Sequence, residues 1–479
     1  MPPDPRSSSR PDPRLLVLAL VCMAQFVVVL DDTIVNTALP SIGDDLGLSE
    51  RGLAWVVNAY LLCFGGFLLL GGRASDVLGR RRMFLVGVAL FTAVSAVCGL
   101  AQSDAVLVGA RGLQGFAGAL LSPAALAILL TTFPGGAERT RALGVWAALL
   151  GLGAATGLLA GGAITETVGW RWVFFINVPI GLAVLAAAGR VLPADPPRAA
   201  RAGLDAPGAV LATGGLLVLV YSIVESHERG WGSAWTLGGL ALGAALLVGF
   251  AIRERAAGDP LLPPALARRR SVAASNAVML VTAGGLFAMF FFVSLYMQVV
   301  QGWSPLRAGV SFLGFTLAFG ATSGVATKLV QRVAPRVMLP IGLAVAAGGM
   351  LALTRLQPDS GYWETLLPAI ALCGIGLGLG FVPLTAAATS GIDGRDAGLV
   401  SGLLSTCQQV GGAIGIAVLV TLASDRTADA VASGVPQLQA LTDGFHLAFT
   451  VNAGLLLAAA LVAPLIGRVR VTGVPVPAA

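Results

Sequence analysis

The 479-residue chain is predicted to be an all-α, polytopic membrane protein, and three observations predict it. Hydrophobic residues make up 56% of the sequence and charged residues only 11%, with a mean hydropathy of +0.85, far from the composition of soluble domains. Apolar runs of about 20 residues, the length a helix needs to cross a bilayer, recur about fourteen times, centred near residues 25, 63, 92, 117, 154, 182, 216, 244, 287, 318, 346, 376, 411 and 456. Glycine and proline are frequent inside those runs, as membrane helices tolerate because neighbouring helices satisfy the freed backbone groups.

Basic residues set the orientation. Of the 30 Lys and Arg, six (Arg51, Arg171, Arg229, Arg307, Arg355 and Arg426) fall in loops on one side, Arg111 lies within a span, and the other 23 lie in tails and loops on the opposite side. The positive-inside rule then predicts cytoplasmic termini, and the alternation holds only for an even number of spans. The formal net charge of +6 accordingly reflects topology and contact with the lipid bilayer. It does not point to nucleic acid.

Residues 1–14 are proline-rich and basic and read as a cytoplasmic tail. The apolar run that follows is longer than a signal-peptide core and lacks a small-residue cleavage site, so it reads as a retained first span. Asp31 and Asp32 are expected at the end of that span. The fourth run, 105–130, carries Arg111 several positions inside it. A guanidinium at mid-membrane costs roughly 3 kcal/mol on insertion scales, so it needs a partner or a water-filled cavity and marks a pathway; snorkelling to the interface is the competing reading. Asp205 opens the seventh span, Glu225 closes it, and Glu364 opens the twelfth.

Proton coupling requires an acid that changes charge while facing first one side and then the other. Asp31 and Asp32 differ by about 100° around a helix, so at most one of the two is expected to face a central cavity. Burial favours the neutral acid and a nearby Arg111 favours the carboxylate, and a balance of the two suits a reversible proton carrier. A competing reading has either aspartate cap a helix end beside Thr33.

Other chemistries find no support. The one lysine, Lys328, lies outside any phosphate-loop motif, so the chain is not expected to use ATP. The string Gly374 to Gly380 sits inside an apolar run with no strand before it, and is better explained by close helix packing. Cys22, Cys63, Cys98, Cys373 and Cys407 lie in apolar runs without metal-ligand spacing. No metal and no cofactor are expected. His227 and His446 fall near outer span ends and are expected to have surface roles. No nucleophile with a base beside it points to an enzyme.

Several local patterns then combine. Residues 30–40 read LDDTIVNTALP, residues 72–82 read GRASDVLGRRR, residues 111–119 read RGLQGFAGA, residues 153–162 read GAATGLLAGG, residues 170–181 read WRWVFFINVPIG, and residues 396–415 read DAGLVSGLLSTCQQVGGAIG. In this order, over nearly the whole chain, they resemble the major facilitator superfamily, specifically its fourteen-span drug:proton antiporter branch. A degraded echo of the second pattern, Gly324 to Arg336, occupies the equivalent loop after the tenth span, in keeping with the internal repeats of such transporters.

The resemblance implies two six-helix halves, 15–192 and 272–467, separated by linkers and a two-helix insert at 193–271, with a second cytoplasmic tail at 468–479. It favours Asp31 over Asp32 and links Arg111 to proton coupling. It assigns Gly72, Asp76, Gly79, Arg80 and Arg81 to a loop that holds one face closed, with Asp76 meeting helix ends or arginines, and Gly153, Gly157 and Gly161 to an antiporter motif. That motif's proline is replaced by Leu158, which removes a kink. Trp170 and Trp172 suit an interface belt. Substrate contacts are expected near the midplane between the halves, the candidates being Gln25, Asn36, Asn58, Tyr60, Gln114, Phe287, Phe291, Tyr296 and Gln408.

The expected function is proton-coupled export of amphipathic small molecules, drugs or antibiotics by alternating access, across a bacterial plasma membrane. Two alternatives are a dedicated exporter of one natural product, towards which the arginine-rich, lysine-poor composition leans, and a non-transporting receptor or scaffold. The last conflicts with charge kept inside lipid at Asp31 and Arg111.

Overall fold

The structure, a computed structural model, describes residues 13–133, 136–192, 195, 205–258, 260–330, 332–390, 392 and 397–466. Residues 1–12 of the expected tail at 1–14, the tail at 468–479, most of the first linker, Asp396 and the side chain of His227 lie outside the described residues; residues 13 and 14 are helical. Within them, fourteen helices are long and apolar enough to cross a membrane. They are α1 (Arg14–Leu46), α2 (Glu50–Leu78), α3 (Arg80–Gly99), α4 (Asp104–Thr132), α5 (Arg141–Thr167), α6 (Trp172–Val191), α7 (Ala206–Ser226), α8 (Ala234–Ala256), α9 (Arg270–Val300), α10 (Pro305–Leu329), α11 (Pro335–Leu353), α12 (Tyr362–Thr389), α13 (Gly398–Ala432) and α14 (Gln437–Ile466). With an even number of spans, both ends of the described chain lie at one end of the bundle, the near end.

Serines stop the loops at the far end. Ser49, Ser103, Ser233 and Ser304 cap α2, α4, α8 and α10 by accepting from backbone N–H groups of the first turn, which would otherwise lack partners. α1 does not stop where the two aspartates had suggested. It continues without a break to Leu46, so Asp31 and Asp32 lie in mid-helix, and the capping reading is excluded because a cap must sit at an end.

Packing repeats with a shift of eight helices. α1 lies on α5 as α9 lies on α13, α2 on α4 as α10 on α12, α3 on α4 as α11 on α12, and α3 on α6 as α11 on α14. The contacts between the two groups, α2 with α13 and α10 with α5, are likewise each other's equivalents. Small residues make these approaches possible. Gly374 and Gly378 of α12 lie against Phe315 and Phe319 of α10, whereas Gly376, on the other side, lies against Gly342 and Ala346 of α11. Side chains there would strike backbone, so the glycine string is a double packing surface.

At the far end the two groups are joined. Ser294 Oγ of α9 donates to the Asn36 carbonyl at 2.7 Å and Gln298 Nε2 to the Thr37 carbonyl at 3.2 Å. Glu166 accepts from the Leu306 N–H that opens α10 (3.1 Å). A Cβ on Gly162 would strike the Pro305 carbonyl, and one on Gly309 the Leu158 carbonyl, so α5 and α10 meet backbone to backbone. Leu158, which replaces the motif's proline, is buried in this contact. Towards the near end α5 and α10 are largely exposed.

α7 pairs with α8 and also lies on both α2 and α13. Thr421 Oγ1 of α13 donates to the Ile223 carbonyl (3.2 Å), Thr213 fills the space above Gly66 of α2, and Tyr221 tilts against Trp55. α8 is mostly exposed along its length, as expected of a lipid-facing helix. It runs on to Ala256. Asp205 caps α7 through the Gly208 N–H (3.0 Å) and pairs with Arg253 Nε of α8 at 2.6 Å.

Candidate functional site

The candidate site is an ion pair sealed inside the first group of helices. Arg111 of α4 and Asp31 of α1 are 1% and 0% exposed, with Nη1 and Oδ2 2.5 Å apart. Taking two charges out of water is repaid only when their remaining hydrogen-bonding capacity is met, and here four further hydrogen bonds from three residues meet much of it. Asp31 Oδ1 accepts from Gln114 Nε2 (2.9 Å) and Asn177 Nδ2 (2.7 Å). Arg111 donates from Nε to the Val56 carbonyl of α2 (3.1 Å) and from Nη1 to Gln114 Oε1 (2.6 Å). Ser95 Oγ of α3 accepts from Gln114 Nε2 at 2.7 Å and from Asn177 Nδ2 at 3.3 Å. Beneath the guanidinium the Tyr60 ring lies 4.3 Å from the Arg111 carbon, a cation–π contact.

The network thus draws on α1, α2, α3, α4 and α6. Arg111 and Gln114 share one face of α4 because they are three residues apart, and Gly115 lets α4 reach the Tyr60 backbone, where a Cβ would collide. The second group has no such pair: residues 271–300 of α9 and 367–389 of α12 contain no Asp, Glu, Lys or Arg.

The other candidates are placed variously. Gln114 and Tyr60 belong to the network, although the Tyr60 hydroxyl finds no partner among the described residues. Asn58 is wholly buried on α2, with neither amide atom partnered among the described residues. Asn36 bonds back to the Asp32 carbonyl (3.1 Å), Phe287 lies against Gly412 of α13, and Gln25 and Gln408 are half-buried. Phe291 and Tyr296 are fully buried within the second group, where Phe291 packs on Phe292 and the Tyr296 hydroxyl is already engaged by Gln301 and the Gln357 carbonyl. Neither presents a surface to cargo in this conformation. A depression of about 500 Å³ at the far end, lined by residues including Arg307, Tyr362 and Trp363, involves none of these residues.

In the loop between α2 and α3 a second carboxylate joins Asp76. Asp76 is exposed and meets an arginine, as expected: Arg80, its neighbour one turn on, at 3.5 Å. The carboxylate that reaches a helix end is Asp195, which accepts from the Arg81 N–H (2.9 Å) and the Arg82 N–H (3.1 Å) at the start of α3. Arg81 Nη2 in turn donates to the Gly189 carbonyl in the last turn of α6 (2.8 Å). Gly79 makes the turn with φ +104°, and a Cβ there would strike the Asp195 carboxylate. Asp195→Ala is expected to lower stability by about 1 kcal/mol and Gly79→Ala by more, since it adds backbone strain to the lost cap; thermal unfolding of the detergent-solubilised protein checks both. Gly72 has open space around it, with only Pro123 near.

Gly153, Gly157 and Gly161 form one stripe of α5 against α1. Side chains there would meet Val29, then Thr33 and the Leu30 carbonyl, then Thr37 and the Ile34 carbonyl. Asp31 lies on the side of α1 away from this stripe. Trp172 is 53% exposed, as an interface residue would be, but Trp170 is 5% exposed and corrects the belt reading. Its indole donates to Asp45 (3.1 Å), which also pairs with Arg171 at 2.6 Å. His446 bonds the Leu356 carbonyl through Nε2 (2.6 Å) and is half-buried. Sequence reasoning missed Ser95 and Asn177 as network members; Asn177 stood within the WRWVFFINVPIG pattern, while a lone serine in an apolar run carries no signal.

Two pseudo-repeated bundles, a helix pair lying on both of them and a buried ion pair define a class of multi-pass membrane protein. Solved structures share this fold. The POT family transporter PepTSo aligns with a TM-score of 0.69 at 15% identity, over 97% of this chain and 98% of that one. A bacterial homolog of the human lysosomal transporter Spinster, in an inward-facing and occupied conformation, aligns with a TM-score of 0.66 at 15% identity, over 95% and 96%. The model of the Major Facilitator Superfamily matches residues 21–416, and the chain belongs to that superfamily. Curated relatives include puromycin resistance protein pur8 of Streptomyces alboniger, 42% identical over 94% of this chain and 90% of the relative. The cephamycin export protein CmcT of Amycolatopsis lactamdurans is 42% identical over 94% and 92%, and the tetracenomycin C resistance and export protein of Streptomyces glaucescens 39% over 88% and 77%.

Proposed function

We propose that the chain exports amphipathic small molecules, drugs or antibiotics, in exchange for protons, by alternating access between two six-helix halves, 15–192 and 272–467, with 193–271 as an insert beside them. The observation that carries the reading is the Asp31–Arg111 pair, sealed in one half and without a counterpart in the other. Protonation of Asp31 removes its charge and with it the attraction for Arg111, so the network that ties α1 to α3, α4 and α6 loosens when a proton arrives and re-forms when it leaves. α1 also carries the far-end closure through the Asn36 and Thr37 carbonyls, which couples proton occupancy to whether that end is shut. Cargo release outward and proton release inward then alternate.

The protein acts in the bacterial plasma membrane with both termini in the cytoplasm, so the near end is cytoplasmic and the conformation described is closed to the outside. It uses neither ATP nor a cofactor and is not an enzyme. A second reading, a dedicated exporter of one natural product, is favoured by the resistance and export names of its actinobacterial relatives. In inverted vesicles with an acidic interior, uptake of a fluorescent substrate is expected to stop when the pH gradient is collapsed; uptake that persists without the gradient overturns proton coupling. Deletion in the native host followed by a broad toxicant panel separates the two readings, with hypersensitivity to a single compound marking the dedicated exporter.

A further inference from the structure

The three faces of α1 are used differently. Val29, Leu30, Thr33, Ile34 and Thr37 meet the glycine stripe of α5. Ala24 and Val27 pack with residues of α3, α4 and α6, and Asp31, one turn further on the same side, enters the sealed network. The third face carries Gln25, Asp32 and Asn36, at spacings of seven and four residues that align them along one side of a helix. It is the face whose Asn36 carbonyl receives Ser294 from the opposite half. Asp32 is half-buried there, within electrostatic range of Arg111 and Tyr60, but the guanidinium is committed to Asp31. Asp32 Oδ1 is closed off from solvent with no hydrogen-bond partner among the described residues, and Gln25 Oε1, two turns along the same face, is in the same condition.

An unpartnered carboxylate oxygen and, two turns away on the same face, an unpartnered amide oxygen make an arrangement of acceptors. Leaving such groups buried and unmade is costly, and a donor-bearing or positively charged guest relieves that cost where a neutral, donor-free guest does not. We propose that Asp32 is the cation-recognition residue of the cargo site, holding the positive charge of organic cations between the halves, while its neighbour Asp31 stays occupied by Arg111. The proposal rests on the transport reading above and divides labour between adjacent carboxylates: one for the proton, one for the cargo.

The test is equilibrium binding without any gradient, with two probes of nearly equal shape: methyltriphenylphosphonium, a cation, and triphenylphosphine oxide, which is neutral. Asp32→Asn is expected to weaken the phosphonium by at least about tenfold, the scale of one partly desolvated ionic contact, to leave the oxide within about twofold, and Asp32→Glu to recover most of the loss. Equal weakening of both probes, no loss in Asp32→Asn, or failure of the wild type to bind the phosphonium overturns the assignment. Because no proton gradient is present, a failure here leaves proton coupling untouched. Conversely, an Asp31→Asn variant that still couples would sink the coupling reading and leave this binding result standing.

Discussion

Asp31→Asn is expected to abolish proton-coupled export while also lowering stability, because the change leaves the Arg111 guanidinium buried with no opposite charge. Removing one partner of a buried ion pair costs about 3–5 kcal/mol, so lost transport alone would not separate a role in coupling from a damaged fold. The double variant Asp31→Asn with Arg111→Gln does separate them. It removes both charges and leaves amide groups that can bond to one another and to Gln114, Asn177 and Ser95, so stability should return to near that of the wild type. Gradient-driven uptake in vesicles should stay at background. Thermal unfolding and uptake measured on the same preparations check this. Coupled transport by the stable double variant would remove the pair from the mechanism.

The second large effect is expected at the far-end crossing of α5 and α10. Gly309 lies against the Leu158 carbonyl and Gly162 against that of Pro305, so no side chain separates the two helices. Gly309→Leu inserts a whole isobutyl group into that contact. Overpacking costs about 1–3 kcal/mol, enough to move a two-state balance at least about fivefold, and here the strained state is the one closed at the far end. Ser294, wholly buried in the same closure, serves as reporter. As a cysteine, in a background with the native cysteines replaced, it should react several times faster with a membrane-impermeant maleimide once Gly309 is leucine, and export should fall. Unchanged labelling together with unchanged export would show that this crossing does not hold the far end shut.

The charges were the legible part of the site, because an arginine or aspartate inside an apolar run is costly wherever it sits and therefore stands out in one dimension. Asp31 and Arg111 are of this kind, and the fourteen spans follow from run length in the same way. What joins the charges was not legible. Asn177 reaches Asp31 across 146 positions and Ser95 reaches Gln114 across 19, and small polar residues in apolar runs have no excess cost until their surroundings are known. The same reasoning explains Asp195, which lies in a proline-rich linker yet caps a helix more than a hundred residues earlier, and Trp170, whose burial depends on the end of α1 extending to Asp45. The 100° between Asp31 and Asp32 was legible; which of their two faces is sealed was not, because that depends on what α3, α4 and α6 bring to it.

One asymmetry of the bundle bears on how it moves. The seams α2–α13 and α5–α10 correspond under the internal repeat, yet only the first carries α7 alongside it, touching both partners, and it is continuous from Leu69 beside Gly402 through Gly65 beside Gln409 to Leu61 beside Gly412. The backbone-to-backbone contacts of the other seam lie near one extremity. A book bound along one margin opens only along the other, and in this molecule the binding is the margin to which the extra helix pair is stitched.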